Sequence, residues 1–517
     1  MSLRPSVVGS LTRMLVGAIV CARALVGCTS LPAHVERVPS HALPETTDTV
    51  LARAVAATPP SDGLSGFRLL AAGDVAYGAR LALTNHAQRS LDLQYYWVAS
   101  DEPTRTLFAA LRRAAARGVR VRLLLDDLSA ARHDEGLLRL SSVPNVQVRI
   151  FNPFAAGRAN ALTRVLFSLG DLARVSRRMH NKLFIADNAL AIVGGRNLTA
   201  EYFSDDQDQN FADLDVLVGG PIVPHLSAVF DAYWNSDEAY PIESLVTPSG
   251  PETPPASPEP GTVRAMATET GLDTSRFDLA NLKLIPAPAR VLADNPAKAV
   301  DGATAADGAI VYQDVLSIVG GATREVLIIS PYFIPTADVT ALLQGLRARG
   351  VIVRVLTNSL ASTDMPPAFA AYAPHRLALL RMGVELYELR ATLGQPRGML
   401  KSFTTSKTAL HAKAVLVDGQ IVFVGSMNLD PRSKRDNTED GVVIFSPQLG
   451  VQLERIFTIG ASPENSYAVR IASDGQSLEW TTRGPDGEEL YSSEPDVSFL
   501  RRIITPLLQV TVPEDIL

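Results

Sequence analysis

The chain has 517 residues, of which 46% are hydrophobic and 20% are charged, and this composition is typical of a globular protein long enough for two domains. Its formal net charge of −6 argues against a general nucleic-acid-binding protein, which would need a basic surface. No stretch approaches the roughly 20 uninterrupted apolar residues of a transmembrane helix, so the sequence argues against a multispan membrane protein.

The first 27 residues have the features of a secretory signal. Arg4 and Arg13 precede an apolar run over 14–22, and Leu-Val-Gly-Cys ends at Cys28. That tetrapeptide resembles the lipobox of bacterial lipoproteins, which implies cleavage before Cys28 and attachment of a lipid to it. We therefore expect a signal peptide over 1–27 and a lipoprotein of the bacterial cell envelope, anchored to the inner or the outer membrane and facing the periplasm. An uncleaved tail with an incidental cysteine is the alternative.

Composition divides the rest of the chain into four segments. Residues 28–62 are rich in Pro, Thr, Ala and Ser and predict a lipidated flexible tether. A first domain is predicted over 63–245, and prolines clustered between 248 and 260 indicate an exposed linker over 246–281. A second domain with a C-terminal extension is predicted over 282–517.

The predicted elements of the two domains correspond. In the first, a strand over 90–98, a helix over 103–117 and a further strand follow one another, an order that predicts a parallel, right-handed crossover. In the second, the apolar segment 325–335 and a helix over 340–349 stand in the same relation. The sequence therefore predicts an α/β protein made of two similar halves.

One short motif occurs once in each half. Residues His180–Asp187 read H-N-K-L-F-I-A-D and residues His411–Asp418 read H-A-K-A-V-L-V-D, so both fit H-x-K-x-x-x-x-D. Seventeen residues after each histidine comes an asparagine, Asn197 or Asn428. Both motifs lie in alternating apolar stretches that predict hairpins, with Asp187 and Asp418 at the turns, where a structural role suits them. Matched copies with matched flanks make chance duplication a minor possibility.

The spacing within the motif suits phosphate chemistry. Residues two apart in a strand point to the same face, so His180 and Lys182 project together, as do His411 and Lys413. The ammonium group can neutralise non-bridging phosphate oxygens, and the imidazole is free for nucleophilic attack or proton transfer. No metal or other cofactor is needed for this arrangement.

Cleavage of a phosphodiester through a covalent step needs a nucleophile and a separate acid, which the two halves supply together. We assign His180 as the nucleophile and His411 as the general acid, although the pseudo-symmetry makes the reverse nearly as favourable. Asp213 and Glu439 are the carboxylates expected to orient the imidazoles and fix their tautomers. Further hydrogen-bond donors toward the developing charge are expected from two asparagines and one hydroxyl: Asn197, Asn428 and Ser426.

These residues resemble those of the phospholipase D superfamily, and the wording of several segments is similar to that of bacterial cardiolipin synthases of the C type. The segments that carry the resemblance are Phe151–Phe154, Arg177–Lys182, Val193–Asn197, Glu201–Phe203, Asp213–Val216, Tyr233–Ser236 and Gly425–Ser433. The resemblance implies two pseudo-symmetric phospholipase D-like α/β half-domains, each a mixed sheet flanked by helices, with the active site at their interface. It departs from the superfamily at Gly195, where other members often have serine.

The resemblance also implies an activity and its partners. A phosphatidyl group would move to histidine and then to the hydroxyl of phosphatidylglycerol, forming cardiolipin, with phosphatidylglycerol or phosphatidylethanolamine as the second lipid. The expected partners are therefore phospholipids and, through the lipid anchor, a membrane surface, with no nucleic acid. Two alternatives stay open: a phospholipase D-type hydrolase, either a phospholipase or a nuclease, and an inactive binding lipoprotein. The second is disfavoured because both copies of the motif are intact.

Overall fold

A computed structural model describes residues 31–57, 63–155, 158, 172–247, 274–300, 309–394, 407–498, 501–502 and 505, with 33, 132, 204, 205 and 207 left out. The predicted signal peptide over 1–27 and the predicted lipidation site at Cys28 lie outside these residues and stay predictions.

The first half of the chain forms one large mixed sheet, flanked by helices. Its strands are β1 (Ser65–Leu70), β2 (Ser90–Tyr95), β3 (Arg120–Asp126), β4 (Val146–Phe151), β5 (Leu183–Ala186), β6 (Leu190–Gly194), β7 (Gln209–Ala212), β8 (Asp215–Gly219), β9 (Ala239–Pro241) and β10 (Ile285–Ala287). All but β7 belong to it, in the order β10-β1-β8-β6-β5-β2-β3-β4-β9. The helices are α1 (Val50–Ala56), α2 (Gly73–His86), α3 (Glu102–Ala116), α4 (Asp127–Ala130), α5 (Asp134–Ser141), α6 (Leu172–Ser176) and α7 (Val223–Trp234).

The second half repeats this architecture. Its strands are β11 (Ala289–Ala293), β12 (Glu325–Ile329), β13 (Ile352–Asn358), β14 (Glu385–Leu389), β15 (Lys407–Leu410), β16 (Ala414–Val417), β17 (Ile421–Gly425), β18 (Asp440–Phe445), β19 (Ser466–Ile471), β20 (Leu478–Gly484) and β21 (Gly487–Tyr491). All but β15 form a second sheet, in the order β11-β18-β17-β16-β12-β13-β14-β19-β20-β21. The helices are α8 (Ile310–Gly320), α9 (Ala337–Ala348), α10 (Pro366–Tyr372), α11 (Arg376–Arg381), α12 (Pro431–Arg435) and α13 (Pro447–Gly460).

The predicted parallel pairing of the two strands is confirmed in both halves. Strand β2 pairs in parallel with β3, and β12 with β13, and in each case a helix lies between the two strands in the chain. Asp101 caps the start of helix α3, its carboxylate accepting the N–H of Thr104 at 3.1 Å, and the helix buries Leu107 and Leu111 against the sheet. The α/β fold of two similar half-domains that the sequence predicts is therefore the observed one.

The boundary between the halves differs from the predicted one. We placed residues 274–281 in an exposed linker, yet Phe277 and Leu279 are buried in the core of the first half and Arg276 pairs with Asp74. Strand β10 then joins the first sheet and β11 joins the second, with only Pro288 between them. Burial of its apolar side chains holds this segment in the first half, and proline density alone does not show which residues are buried.

Residues 34–57, expected to be part of a flexible tether, instead pack against the first half-domain. The backbone N–H of Ser40 donates to Asn235, just after α7, at 3.0 Å, and that of Ala42 donates to Asp231 in α7 at 2.7 Å. Arg122 and Arg149 donate to backbone carbonyls of the same segment, at 2.9 and 2.7 Å. These backbone contacts do not depend on a hydrophobic pattern, so composition alone did not reveal them.

The two half-domains meet along a shared core. Strand β7 of the first half pairs in parallel with β15 of the second, and one hydrophobic cluster contains side chains of both sheets. The backbone N–H of His180 donates to the carbonyl of Thr438 at 2.9 Å. The junction therefore brings the two motifs together. Among the described residues, no helix has the length and apolar character needed to cross a membrane.

Candidate active site

Each motif begins just before a strand and runs into a tight hairpin. The turn between β5 and β6 has positive φ angles at Asp187 and Asn188, of 55° and 51°, and the turn between β16 and β17 has them at Asp418 and Gly419, of 53° and 72°. Asp, Asn and Gly tolerate this left-handed conformation best, which is why these residues end the strands here. Both predicted hairpin turns are confirmed.

The motif aspartates hold neighbouring strands in place. The carboxylate of Asp187 accepts backbone N–H groups of residues 88, 89 and 90, at 2.7 to 3.1 Å, before β2. Asp418 does the same for residues 323, 324 and 325, at 2.8 to 2.9 Å, before β12. These bonds help to lower the pKa of Asp418 to about 2, against the effect of burial. Neither aspartate lines the cavity described below.

Each histidine is paired with a carboxylate from the opposite half of the chain. His180 Nδ1 lies 2.8 Å from Glu439 Oε2, and His411 Nδ1 lies 2.8 Å from Asp213 Oδ2. All four side chains are buried. A carboxylate on Nδ1 fixes the proton of a neutral imidazole on that nitrogen and leaves Nε2 as the basic one. Both half-domains are therefore needed to build either histidine site.

Burial sets the charge state of these pairs. Burial lowers the pKa of His180 to about 4, and burial together with the charge of Lys413 lowers that of His411 to about 3. Burial alone would raise the pKa of Asp213, but the adjacent His411 and Lys413 lower it to about 2. In the lipid-free protein at neutral pH both imidazoles are therefore neutral, the form in which a histidine can attack phosphorus.

The motif lysines are buried beside their histidines, as the spacing predicts. Lys182 Nζ donates to the carbonyl of His180 at 2.6 Å, and Lys413 Nζ donates to that of His411 at 2.5 Å. Lys413 Nζ also lies 2.9 and 3.2 Å from the two ring nitrogens of His411. Burial lowers the pKa of both ammonium groups, that of Lys413 to about 8. Both amino groups therefore lie at the floor of the site, where little water screens the positive charge they carry when protonated.

The expected hydrogen-bond donors have different surroundings. Asn197 accepts the N–H of Trp97 at 3.2 Å and donates to Tyr202 Oη at 2.9 Å. Asn428 also lines the cavity, and its Oδ1 is buried without a partner among the described residues. Ser426 differs from the prediction: it is fully buried and its Oγ donates to Glu439 Oε2 at 2.5 Å. Its hydroxyl therefore orients the partner of His180 and does not line the substrate cavity.

The missing serine of the first half has a steric reason. A Cβ atom at Gly195 would lie 2.8 Å from Asp213 Cγ and closer still to Oδ1. Asp213 is one methylene shorter than its counterpart Glu439, and the N–H of Leu214 donates to its Oδ1 at 2.7 Å. The two halves thus hold their carboxylates in different ways. In the second half a serine hydroxyl donates to Glu439, and in the first half a glycine leaves room for Asp213, which accepts a backbone N–H.

Both histidines open into one cavity of about 680 Å³ at the junction of the halves. Its walls include Trp97, Phe211 and Tyr332, together with Arg178 and Arg432. Arg178 also pairs with Asp126, and Arg432 donates to the carbonyl of Ser176 at 2.7 Å. The carboxylates of Glu201, Asp364 and Asp430 also line it. Such mixed walls suit a ligand with a charged polar head and apolar methylenes.

The cavity residues that the sequence analysis missed include Tyr202, Tyr332 and Asp364. The Tyr332 hydroxyl donates to Asp364 Oδ2 at 2.7 Å, and the Tyr332 ring lies edge-on to His411, with centroids 6.3 Å apart. Tyr332 lies three residues after the end of strand β12 and so could have been found from its equivalence to Trp97, which follows β2. Asp364 lies in a loop without a repeat partner, and no sequence signal marked it. Within the described ranges, no group of three or more His, Cys, Asp or Glu side chains is arranged to hold a metal ion.

Comparison with known proteins gives consistent matches. A family model described as cardiolipin synthase, PLD-like domain matches residues 81–234 and 315–459. The chain is 38% identical over 446 residues to cardiolipin synthase C of Escherichia coli (strain K12), covering 84% of this chain and 92% of that protein. It is 31% identical over 436 residues to an uncharacterized protein of Helicobacter pylori, covering 82% and 84%.

A solved structure matches nearly the whole chain. Phosphatidylserine synthase of Haemophilus influenzae Rd KW20 aligns with a TM-score of 0.57 and 14% sequence identity, covering 90% of this chain and 100% of that one. At this identity the match shows a shared fold of two half-domains.

Proposed function

The chain belongs to the phospholipase D-like family of cardiolipin synthases, and on this premise we propose that it forms cardiolipin by moving a phosphatidyl group onto phosphatidylglycerol. The donor is a second phospholipid, either another phosphatidylglycerol or phosphatidylethanolamine. One observation carries the proposal. Two histidines face a single cavity, and each is oriented by a carboxylate from the opposite half.

This geometry suits a two-step transfer through a phosphohistidine. Neutral His180 attacks the phosphorus of the donor lipid, and His411, protonated at Nε2 once the anionic lipid is bound, provides the proton for the departing headgroup oxygen. The hydroxyl of phosphatidylglycerol then attacks phosphorus from the vacated side, His411 takes its proton, and the bond to His180 breaks. Lys182 and Lys413 stabilise the negative charge that gathers on the phosphorus oxygens.

The cavity supports a lipid substrate. Leu128 and Met365 add apolar surface to the aromatic walls, and Arg178 and Arg432 add positive charge. An anionic headgroup is attracted by the guanidinium groups, while the glycerol backbone and the first methylenes of the acyl chains lie against apolar side chains. A site that excludes water during the second step favours an alcohol acceptor over hydrolysis.

The test is product analysis with the full-length protein in mixed vesicles. Vesicles of phosphatidylglycerol, with and without phosphatidylethanolamine, are incubated with the enzyme, and the lipids are identified by mass spectrometry. We expect cardiolipin, and its dependence on phosphatidylethanolamine identifies the donor. His180→Ala and His411→Ala should each abolish it. His225→Ala is the matched control, since this histidine lies exposed on α7.

The possible products separate the functional classes. Phosphatidic acid without cardiolipin would make the protein a hydrolase of the same superfamily. The absence of any product from either lipid, with a folded protein, would contradict the proposal and favour a binding lipoprotein.

We also propose that the protein reaches its substrates through a lipid on Cys28, after removal of residues 1–27. The lipobox-like sequence supports this, and it predicts that Cys28→Ser abolishes membrane retention in cells without changing the activity of the purified enzyme on detergent-dispersed lipid. Mass spectrometry of the mature N-terminal peptide checks it, because an unmodified cysteine there contradicts the proposal.

A further inference from the structure

Tyr202 makes the two histidine sites unequal. It lies in the 3₁₀ turn Ala200–Phe203, five residues after Asn197, and its ring packs between Phe211 and His411, with centroid distances of 4.7 and 5.0 Å. Its Oη lies 2.9 Å from Asn197 Nδ2 and 3.3 Å from His411 Nε2. The side chain is 6% exposed and lines the cavity.

The direction of these hydrogen bonds follows from the groups themselves. An amide nitrogen only donates, so Asn197 donates to Tyr202 Oη. The Nδ1 proton of His411 is directed at Asp213, so Nε2 is an acceptor and the tyrosine hydroxyl donates to it. The basic nitrogen of His411 is thus already engaged, by Tyr202 and by Lys413.

The ring of Tyr96 lies edge-on to His180, with centroids 5.0 Å apart, but within the described residues no hydrogen bond joins its hydroxyl to the imidazole. The residue five positions after Asn428 is Ser433, and its hydroxyl donates to Glu439 Oε1 at 2.8 Å. Among the described residues no hydrogen bond reaches His180 Nε2, which borders the cavity. One histidine therefore offers a free base to phosphorus, while the other is linked to the cavity through a phenol.

We propose that Tyr202 is a third catalytic group, which carries the proton between His411 and the substrate oxygen and thereby leaves nucleophilic attack to His180. This inference rests on the proposed phosphatidyl transfer and deepens it. The negative charge of a bound lipid phosphate favours protonation of His411 at Nε2.

The proton movements balance in both steps. In the first, His180 Nε2 bonds to phosphorus, the phosphorus–oxygen bond to the headgroup breaks, Tyr202 gives its hydroxyl proton to the leaving oxygen, and His411 gives its Nε2 proton to Tyr202. In the second, the acceptor hydroxyl bonds to phosphorus and the phosphorus–nitrogen bond breaks. The acceptor proton passes to Tyr202 as the tyrosine proton passes to His411.

Leaving-group dependence tests this role. With phosphatidyl-p-nitrophenol, the departing nitrophenolate needs no proton, so a group that only delivers protons becomes dispensable for the first step. We expect Tyr202→Phe, which keeps the ring contacts, to lower cardiolipin formation from phosphatidylglycerol by about 100-fold or more, in the range of general acid–base effects. The burst of nitrophenol should stay within threefold of the wild-type rate.

The histidine variants test the same inference without changing Tyr202. We expect His411→Ala to release one equivalent of nitrophenol and stop with the phosphatidyl group on His180, located by peptide mass spectrometry. His180→Ala should give no burst. A burst in His180→Ala instead, or a Tyr202→Phe burst as slow as its cardiolipin synthesis, overturns the inference. A wild-type enzyme that gives neither burst nor cardiolipin contradicts the proposed function itself.

Discussion

We predict that Gly195→Ser inactivates the enzyme. The equivalent position of the second half carries a serine, Ser426. The change looks conservative in sequence, because it restores the residue often found there in the superfamily. In the structure, however, a Cβ at position 195 lies 2.8 Å from Asp213 Cγ and closer to Oδ1. Asp213 must therefore move, and Asp213 is the partner of His411.

The size of the effect follows from the overlap. Carbon atoms in contact stay about 3.5–4.0 Å apart, so Asp213 must retreat by roughly 1 Å. Its hydrogen bond to His411 Nδ1, now 2.8 Å, then stretches beyond the distance at which such a bond persists. We expect a loss of about 100-fold or more in kcat, typical for an acid–base group that has lost its orientation. Overpacking should also lower the free energy of unfolding by about 1–3 kcal/mol.

A double substitution is the matched control. Gly195→Ser combined with Asp213→Glu recreates the serine–glutamate pair of the second half, in which Ser426 Oγ donates to Glu439 at 2.5 Å. Cardiolipin formation in vesicles and urea unfolding of all four proteins give a coupling energy, which we expect to be favourable by about 1–3 kcal/mol. A single Gly195→Ser variant that keeps more than a tenth of wild-type activity would refute the reasoning. So would a double variant no better than the worse single one.

Three further predictions concern the same site. At saturating lipid, where the bound phosphate keeps His411 protonated, kcat should stay level as the pH falls from 6 to 5 and be lost below about pH 4, because burial holds the pKa of His180 at about 4 and the nucleophile must be unprotonated. The same kcat profile should fall above about pH 7, where Lys182 and then Lys413 lose their charge; an acid-side midpoint near 6.5, the pKa of an ordinary histidine, contradicts the lowered pKa of His180. Asp187→Ala should lower the free energy of unfolding by about 1–3 kcal/mol in urea, with kcat per folded molecule unchanged, since three backbone N–H groups lose their acceptor. Ser426→Ala should lower kcat about tenfold with KM unchanged, because it releases Glu439; a rise in KM alone would show that the hydroxyl contacts lipid.

Local patterns were sufficient for the elements and the motif residues. Alternation of apolar residues and the Asp-Asn and Asp-Gly pairs predicted the hairpins, because turn geometry depends on a few neighbouring residues. The repeated H-x-K predicted which side chains would meet. The same patterns did not predict that residues 34–57 and 274–281 pack against the first half-domain, because backbone contacts and a few buried side chains hold those segments.

Taken alone, the sequence determined that the protein has two equivalent halves, that each contributes a histidine, a lysine and an asparagine, and that the chemistry is that of a phosphodiester. These conclusions depend on short-range spacing and on comparison of one half with the other. Only the tertiary structure decided that Glu439 orients His180 while Asp213 orients His411, that Ser426 faces a carboxylate, and that Tyr202 reaches one histidine alone. The physical reason is that these contacts join residues up to 259 positions apart across the junction of two sheets, where packing fixes which side chains face each other.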